Sequence, residues 1–193
     1  LGYSDITVSD SVLSFNNDYL HKGENQMKYF SFKYSFKWDR RDVRNYPTVG
    51  SYFDCKLFKD GLGVLSGLNS LYMTSHFKKF WQLTDNIYFA SSVKAKFSVE
   101  ASPYYLQSGF AFGNDLVRGY ELYVINGDHY GLAKFQFRYS VLKNKIFNIS
   151  AIQFEKFNKI PLSIYFGAYF DVGYADLKRD EQNNSLSNTG LYG

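Results

Sequence analysis

The sequence predicts an all-β protein, an antiparallel transmembrane β-barrel of which this chain supplies about six to eight strands. Three observations predict this fold: apolar and polar residues alternate with period two, the alternating segments are long, and aromatic residues are abundant. The 193 residues include 18 Tyr and 19 Phe but only 3 Pro, and aromatic side chains favour pleated, half-buried surfaces. No apolar run reaches the roughly 18 residues that a membrane helix needs.

The clearest alternation covers residues 28–38. A strand directs alternate side chains to opposite faces, so one face of this segment is entirely aromatic, with Phe30, Phe32, Tyr34, Phe36 and Trp38. The opposite face is polar apart from one tyrosine, with Tyr29, Ser31, Lys33, Ser35 and Lys37. A helix would scatter the same aromatic residues around its circumference, so the pattern predicts a strand.

The same alternation predicts strands over residues 87–99, 132–141 and 162–174, and more weakly over 51–59 and 68–81. A soluble β-sandwich also alternates, but its strands are usually about five or six residues long. The segments here are nearer ten residues, the length that a tilted strand needs to cross a hydrocarbon layer. The alternation therefore favours a membrane barrel, while residues 143–160 fit either a short strand or a folded-in turn.

The connections between these segments alternate between short and long. Residues 42–50 and 83–86 are turns, whereas 60–67, 100–129 and 176–189 are longer loops rich in Gly or polar residues. Bacterial barrels have short turns at one end and long loops at the other. We therefore expect the long loops to lie together at one edge of the sheet.

The composition argues against several other classes of protein. The net charge is +4 and the basic residues are dispersed, whereas nucleic-acid binders cluster them on one face. Cys55 is the single cysteine, and the three histidines have no ligand-like spacing, so we expect no metal and no cofactor. Ser75 and His76 point to opposite faces of a strand and lack a nucleophile elbow, so we expect no enzyme. The chain begins at Leu1 without a visible signal peptide.

The longest loop carries the most specific motif. Its segment Val117-Arg118-Gly119-Tyr120 resembles the V-R-G-[FY] signature of the outer-membrane protein assembly superfamily (the bacterial surface antigen family), which includes BamA, TamA and the two-partner secretion translocators. A lone R-G-Y would carry little weight, but three further motifs agree in order and spacing over about residues 26–175.

The first further motif is a turn that resembles the family's D-R-D…YP…G pattern, with Asp39, Arg40, Asp42, Tyr46, Pro47 and Gly50. We interpret its two aspartates as hydrogen-bonding residues of a turn and a strand end. The second further motif, which ends at Arg138, resembles the family's [EQ]-x-R segment and begins with Gln136. The third resembles the F-x-D-x-G motif and contains Asp171 and Gly173.

The resemblance implies a place within a larger protein. In a sixteen-stranded barrel this chain would cover roughly the eighth to thirteenth strands, with the periplasmic POTRA domains and the first and last strands outside it. The implied function is assembly and insertion of proteins in the bacterial outer membrane. The implied partners are outer-membrane lipid, unfolded client proteins and accessory lipoproteins. The alternatives are a two-partner secretion translocator, a barrel fused to a patatin-like esterase and, more weakly, a simple porin.

The resemblance also implies a contact between the long loop and the inner wall of the barrel, with Val117, Arg118, Gly119 and Tyr120 on the loop. The residues themselves agree, because Asp171 is in phase with the polar face of its segment and can hold a guanidinium bidentately. Gly119 would let the loop backbone approach the wall closely. Gln136 stands where the family usually has a second acid, so we expect it to hydrogen-bond Arg118 and leave the charge to Asp171.

Overall fold

The computed structural model describes residues 1–17, 19–20, 24–63, 65, 67–100, 102–107, 116–119, 127–148, 159–176 and 190–192. In these residues the protein is all-β, with eight antiparallel strands hydrogen-bonded in sequence order into one open sheet. Each strand pairs with the strands that precede and follow it along the chain. This simple up-and-down topology agrees with the alternation of the sequence.

The strands are β1 Gly2–Thr7, β2 Gln26–Asp39, β3 Gly50–Asp60, β4 Ser70–Gln82, β5 Ile87–Ser98, β6 His129–Asn148, β7 Lys159–Asp176 and β8 Gly190–Tyr192. All six strands that the alternation predicts are confirmed as β2 to β7. The short strands β1 and β8 and the one-and-a-half-turn helix α1 Asp10–Phe15 were not predicted, and a 3₁₀ turn spans Tyr104–Leu106. In the described residues no helix has the length and apolar character needed to span a membrane.

Directly opposed residues of antiparallel strands lie on the same side of a sheet. The register of the strands therefore gives this sheet two distinct faces. One row across β2 to β7 is polar or charged and consists of Asp39, Tyr52, Lys78, Ser92, Lys134 and Asp171. The adjacent row is apolar and consists of Trp38, Phe53, Phe77, Val93, Ala133 and Val172. We call the face of the first row the loop face and that of the second the aromatic face.

The aromatic face is broadly exposed. Six phenylalanines on it expose between 48% and 71% of their surface: Phe32, Phe36, Phe97, Phe137, Phe166 and Phe170. Neighbouring rings contact one another across strands, as Phe135 does with Phe89 and Phe170 at 6.4 Å between centroids. A contiguous apolar surface of this extent marks a site of contact with another apolar phase or partner.

The buried residues lie between the loops and the loop face. One cluster consists of Leu20, Met27, Tyr29 and Leu68, with Tyr105 among the residues packed against it. A second cluster consists of Val117, Tyr130, Leu132 and Ala175. Each cluster combines connection residues with strand residues, so folding of loops onto one face supplies the apolar interior of the described residues.

The antiparallel order separates the connections into two sets. The turn edge is the one at which β2 and β4 end and β3 and β5 begin, at Asp39, Gln82, Gly50 and Ile87. The loop edge is the opposite one, at which β3, β5 and β7 end, at Asp60, Ser98 and Asp176. The strand ends that border the three predicted long loops thus share the loop edge, as the sequence predicts. The predicted polar loop of residues 176–189 lies outside the described residues from 177 onwards.

The hairpin of β6 and β7 extends past the turn edge of its neighbour. Pairing between β5 and β6 ends at Ile87 and Tyr139, whereas β6 continues to pair with β7 as far as Asn148. The register shifts between Ser140 and Leu142 and again between Leu142 and Lys145, so β6 contains bulges that bend a strand locally. Residues 143–148 and 159–160 are thus strand, and 149–158 lie outside the described residues.

Candidate anchor site of the long loop

Arg118 binds Asp171 of β7 through two groups. The guanidinium Nη1 donates to Oδ1 at 3.0 Å, and the Arg118 backbone amide lies 3.3 Å from Oδ2. The Asp171 side chain is only 2% exposed, whereas that of Arg118 is 38% exposed. A carboxylate that accepts from both a cation and a backbone amide fixes the position of the side chain and the main chain together.

The alternation of β7 places Asp171 on the loop face, directly opposite Lys134 of β6. The Lys134 Nζ atom lies 3.9 Å from Oδ2, so two cations share this carboxylate. Gly173 lies two residues further along the same face, opposite Leu132, and is buried. Lys134 was not identified from the sequence, although its in-phase position across from Asp171 follows once the register is known.

The expected hydrogen bond between Gln136 and Arg118 is absent from the described contacts, so that prediction was wrong. Gln136 lies on the loop face opposite Tyr169 and lines the same cleft as Arg118. The Arg118 guanidinium carbon instead lies 4.0 Å from the centroid of the Tyr169 ring. The aromatic ring takes the contact that the amide was expected to make, since a guanidinium stacks favourably on a π face.

Val117 supplies the apolar part of the site. Its surface is fully buried, and it packs with Tyr130, Leu132 and Ala175. Burying a valine side chain contributes roughly 1.5 kcal/mol or more, and here it accompanies the adjacent ion pair. The loop therefore contacts the sheet through two neighbouring residues of opposite chemical character.

Gly119 is required by its backbone conformation and not, as expected, by a close approach of the loop to the sheet. Its φ angle is +93°, in the left-handed region that favours glycine. No described heavy atom lies within 4 Å of the position where a Cβ would stand, so close approach to the wall is not the constraint. The glycine lets the chain turn directly after Arg118. Tyr120, the next residue of the motif, lies outside the described residues.

The base of the long loop is fixed by a buried aspartate that sequence reasoning did not assign. The Oδ1 atom of Asp128 accepts from the Ser102 amide at 3.0 Å, and its carbonyl accepts from Ser98 Oγ at 2.8 Å. Asp128 is fully buried. The two ends of the loop thus meet through Ser102 and Asp128, and the pair Gly127-Asp128 was the only signal for it in the sequence.

The turn motif is held by its two aspartates, as the sequence predicts. Asp39 accepts two hydrogen bonds from Arg41, from Nε at 2.8 Å and from Nη2 at 2.7 Å. Asp42 accepts from the Thr48 amide at 3.0 Å and from Thr48 Oγ1 at 2.6 Å. Arg40 lies over the Trp38 ring at 5.3 Å. Each aspartate therefore closes one side of the turn.

The remaining residues of the turn motif have backbone roles. Gly50 has φ +112°, and a Cβ there would lie 2.1 Å from the Arg40 carbonyl oxygen, so only glycine fits. Tyr46 has φ 55° and is largely exposed. The Pro47 carbonyl accepts from Arg138 Nη2 at 2.6 Å. Arg138 ends the [EQ]-x-R motif, so two of the four motifs meet at the turn edge, a contact that the sequence did not predict.

The loop face also carries a histidine, His76. His76 Nε2 lies 2.9 Å from Ser92 Oγ on the adjacent strand, rather than near Ser75, its neighbour in sequence. Among the described residues no group of three or more His, Cys, Asp or Glu side chains forms a metal-like cluster. Comparison of the chain with protein-family models, with curated proteins and with solved structures found no match.

The Arg118–Asp171 contact predicts a measurable coupling energy. Replacement of either residue by alanine should destabilise the chain, and the double-mutant cycle should give a coupling of roughly 1.5–3 kcal/mol, since hydrogen bonds to charged groups fall in that range. Urea unfolding of the single and double variants measures it. Arg44→Ala, in the exposed turn, is the matched control and should change stability little. Additive effects of the two substitutions would contradict the contact.

The turn aspartate predicts a pH dependence. Burial alone raises the pKa of Asp42, but hydrogen bonds from the Thr48 side chain and from the Val43, Thr48 and Val49 amides outweigh it, so the pKa lies below its ordinary value. A lowered pKa means that the carboxylate stabilises the fold above the ordinary value and that this contribution is lost as the pH falls through the lowered one.

Asp42→Asn should therefore reduce the loss of stability that the native chain shows on acidification below about pH 4. Thr48→Val, which removes one donor but keeps the shape of the side chain, should give a smaller effect of the same sign. Unfolding midpoints measured at a series of pH values test both variants. An unchanged acid dependence in Asp42→Asn would show that the turn carboxylate does not contribute.

Proposed function

We propose that this chain is part of the sixteen-stranded outer-membrane barrel of a protein assembly and insertion factor of the BamA type. In this proposal the aromatic face contacts lipid, the loop face lines the lumen, and the motif loop folds inward. The observation that carries the proposal is the pairing of Arg118 with Asp171 on the face opposite the exposed aromatic side chains. The motifs that resemble those of the family predict the same pairing from the sequence.

The two faces support a membrane setting for the sheet. A soluble sheet with one exposed face would place charged and polar residues there, whereas the large side chains of the exposed face here are mainly aromatic and aliphatic. Trp38 and Trp81 lie near the turn ends of β2 and β4 on this face, and tryptophan is enriched at membrane interfaces. Lys79, on the same face beside the turn edge, has a stem long enough to reach the headgroups.

The proposed role of the loop is mechanical. A closed barrel has no free edge, so insertion of a client strand needs a seam that opens while the remaining wall keeps its shape. Val117 and Arg118 join the loop to β6 and β7, and Asp128 joins its base to the segment beyond β5. These contacts would stiffen three adjacent strands, and no cofactor is needed for such work.

The lipid contact predicts a difference between adjacent residues of β3. In a chain without its native tryptophans (Trp38→Phe, Trp81→Phe), Phe53→Trp places an indole on the aromatic face and Tyr52→Trp places one on the loop face at the same depth. In vesicles of brominated phospholipid, the Phe53→Trp fluorescence should be strongly quenched and blue-shifted. The Tyr52→Trp fluorescence should be little affected. Equal quenching of both would contradict the lipid-facing assignment.

The assembly role predicts that the loop contact matters for client folding. In the full-length protein, Arg118→Ala should lower the yield of folded client in a vesicle assembly assay several-fold. Arg118→Lys should retain part of it, because an ammonium keeps the charge beside Asp171 but cannot stack on the Tyr169 ring as the planar guanidinium does. Arg44→Ala is the control. The heat-resistant mobility of the barrel itself on gels should fall in parallel.

Normal client assembly and normal heat resistance in Arg118→Ala would overturn the proposed role of the loop. Export of one secreted partner without any assembly of clients would indicate the translocator alternative. Steady ion conductance that does not depend on Arg118 would indicate a porin.

A further inference from the structure

A polar row crosses the aromatic face beside the turn edge. Arg40 directly follows β2 and donates its backbone amide to the Ser51 carbonyl at 2.8 Å, so it extends the ladder between β2 and β3. The register places Lys79 of β4 opposite Ser51, and Ser91 of β5 opposite Lys79. Two cations and two small hydroxyl side chains therefore lie in one row over four neighbouring strands.

The two cations of this row have no anionic partner in the protein. The Arg40 guanidinium carbon lies 5.3 Å from the centroid of the Trp38 ring, which keeps the side chain on the aromatic face. In the part of the chain that the structure describes, neither Arg40 nor Lys79 forms an ion pair or donates a side-chain hydrogen bond. The turns beside them, residues 40–49 and 83–86, belong entirely to that part.

An apolar groove of about 350 Å³ lies next to the polar row. Its walls are the rings of Phe36, Trp38, Phe53 and Phe77. Trp38, Phe53 and Phe77 form the adjacent row of the sheet, one step nearer its centre, and the Phe36 ring contacts that of Phe53 at 6.2 Å between centroids. Two cations thus stand at one end of an exposed apolar groove.

We propose that this corner of the aromatic face binds a phospholipid with an anionic headgroup. Its phosphate lies between Arg40 and Lys79, and one acyl chain lies in the groove. The inference rests on the proposed function, because it requires the aromatic face to be in a membrane. The two cations are two strands apart, roughly 10 Å, a gap that their long side chains can close around a phosphate. Ser51 stands between them and supplies a further hydroxyl donor.

The headgroup decides which lipid is preferred. Acyl chains are as apolar as the walls of the groove, so the groove orients a chain but does not select one lipid over another. Arginine binds phosphate through its planar fork, and lysine adds a point charge. Each such cation near an anionic membrane surface strengthens binding about fivefold. A zwitterionic headgroup carries its own cation, which opposes this attraction.

An apolar segment of another protein is a poorer occupant of the same groove. It would cover Arg40 and Lys79 without supplying an anion, and a desolvated charge without a partner is costly. An amphiphile with an anion at one end matches both the row and the groove.

The experiment identifies the lipid at the groove in the full-length protein. A photo-reactive benzoyl-phenylalanine replaces Phe77, and the protein is folded into phosphatidylcholine vesicles that contain the same small fraction of either radiolabelled phosphatidylglycerol or radiolabelled phosphatidylcholine. After illumination, the cross-linked yield of phosphatidylglycerol should exceed that of phosphatidylcholine at least about fivefold. This preference should fall as salt is added.

A matched position on the same face is the control. Phe170 of β7 lies in the same row as Lys79, three strands away, and is exposed. The photo-reactive residue in place of Phe170 should label the two lipids equally, because neither cation of the polar row is beside it.

Two double variants test the role of the cations. Arg40→Gln with Lys79→Gln removes both charges and should reduce the preference to less than about twofold. Lys143→Gln with Lys145→Gln removes the same charge from exposed positions of the projecting hairpin and should leave the preference unchanged. Heat-resistant gel mobility verifies folding, and Lys79→Gln alone replaces the first double variant if that one does not fold.

Three results would overturn the inference: equal labelling by the two lipids in place of Phe77, an equal preference in place of Phe170, or an equal loss in both double variants. Each of these still yields a cross-linked lipid, so each would leave the lipid-facing assignment intact. Cross-linking of neither lipid at either position would overturn that assignment in the proposed function, and this inference with it.

Discussion

The register of the sheet is the constraint on which the other features of the molecule depend. Side chains alternate with period two, so a shift of one residue in any strand would exchange its two faces. From β2 to β7 the pairing is continuous up to the bulges of β6. Because of this continuity, aromatic residues from six strands form one surface, and Asp171, Lys134 and Tyr169 face the same loop.

The anchor of the loop combines interactions that fail under different conditions. The contact of Arg118 with Asp171 is electrostatic and is weakened by salt, whereas the packing of Val117 depends on exclusion of water and is insensitive to charge. Stacking on Tyr169 keeps the guanidinium in place on its exposed side. A loop held in these three ways keeps its position over a wider range of salt concentration than an ion pair alone would allow.

The sequence predicted the central strands well because their alternation is long and strongly aromatic. It also brought Arg118 and Asp171 together, through motifs and the phase of β7. It missed β1, since six residues without a long alternating pattern resemble any loop, and it missed Lys134, Tyr169 and Asp128. The role of Lys134 depends on which residues of different strands stand opposite one another, and that register is set by the entire sheet. The roles of Tyr169 and Asp128 depend on where the long loop returns to the sheet. The hydrogen bond expected between Gln136 and Arg118 is not formed for a similar reason, because the sequence alone does not show that the Arg118 guanidinium lies over the Tyr169 ring.

The two successive register shifts in β6 show where the chain can accept extra residues. Two irregularities in succession reverse the phase and then restore it, since Phe137 and Lys145 both oppose residues on the same face of β7. The two extra residues of β6 are together absorbed within a few positions, and the rest of the sheet keeps its register. The projecting hairpin is therefore the part of the sheet where natural length differences and engineered tags would be tolerated, whereas one extra residue in the middle of β4 would exchange the two faces of that strand.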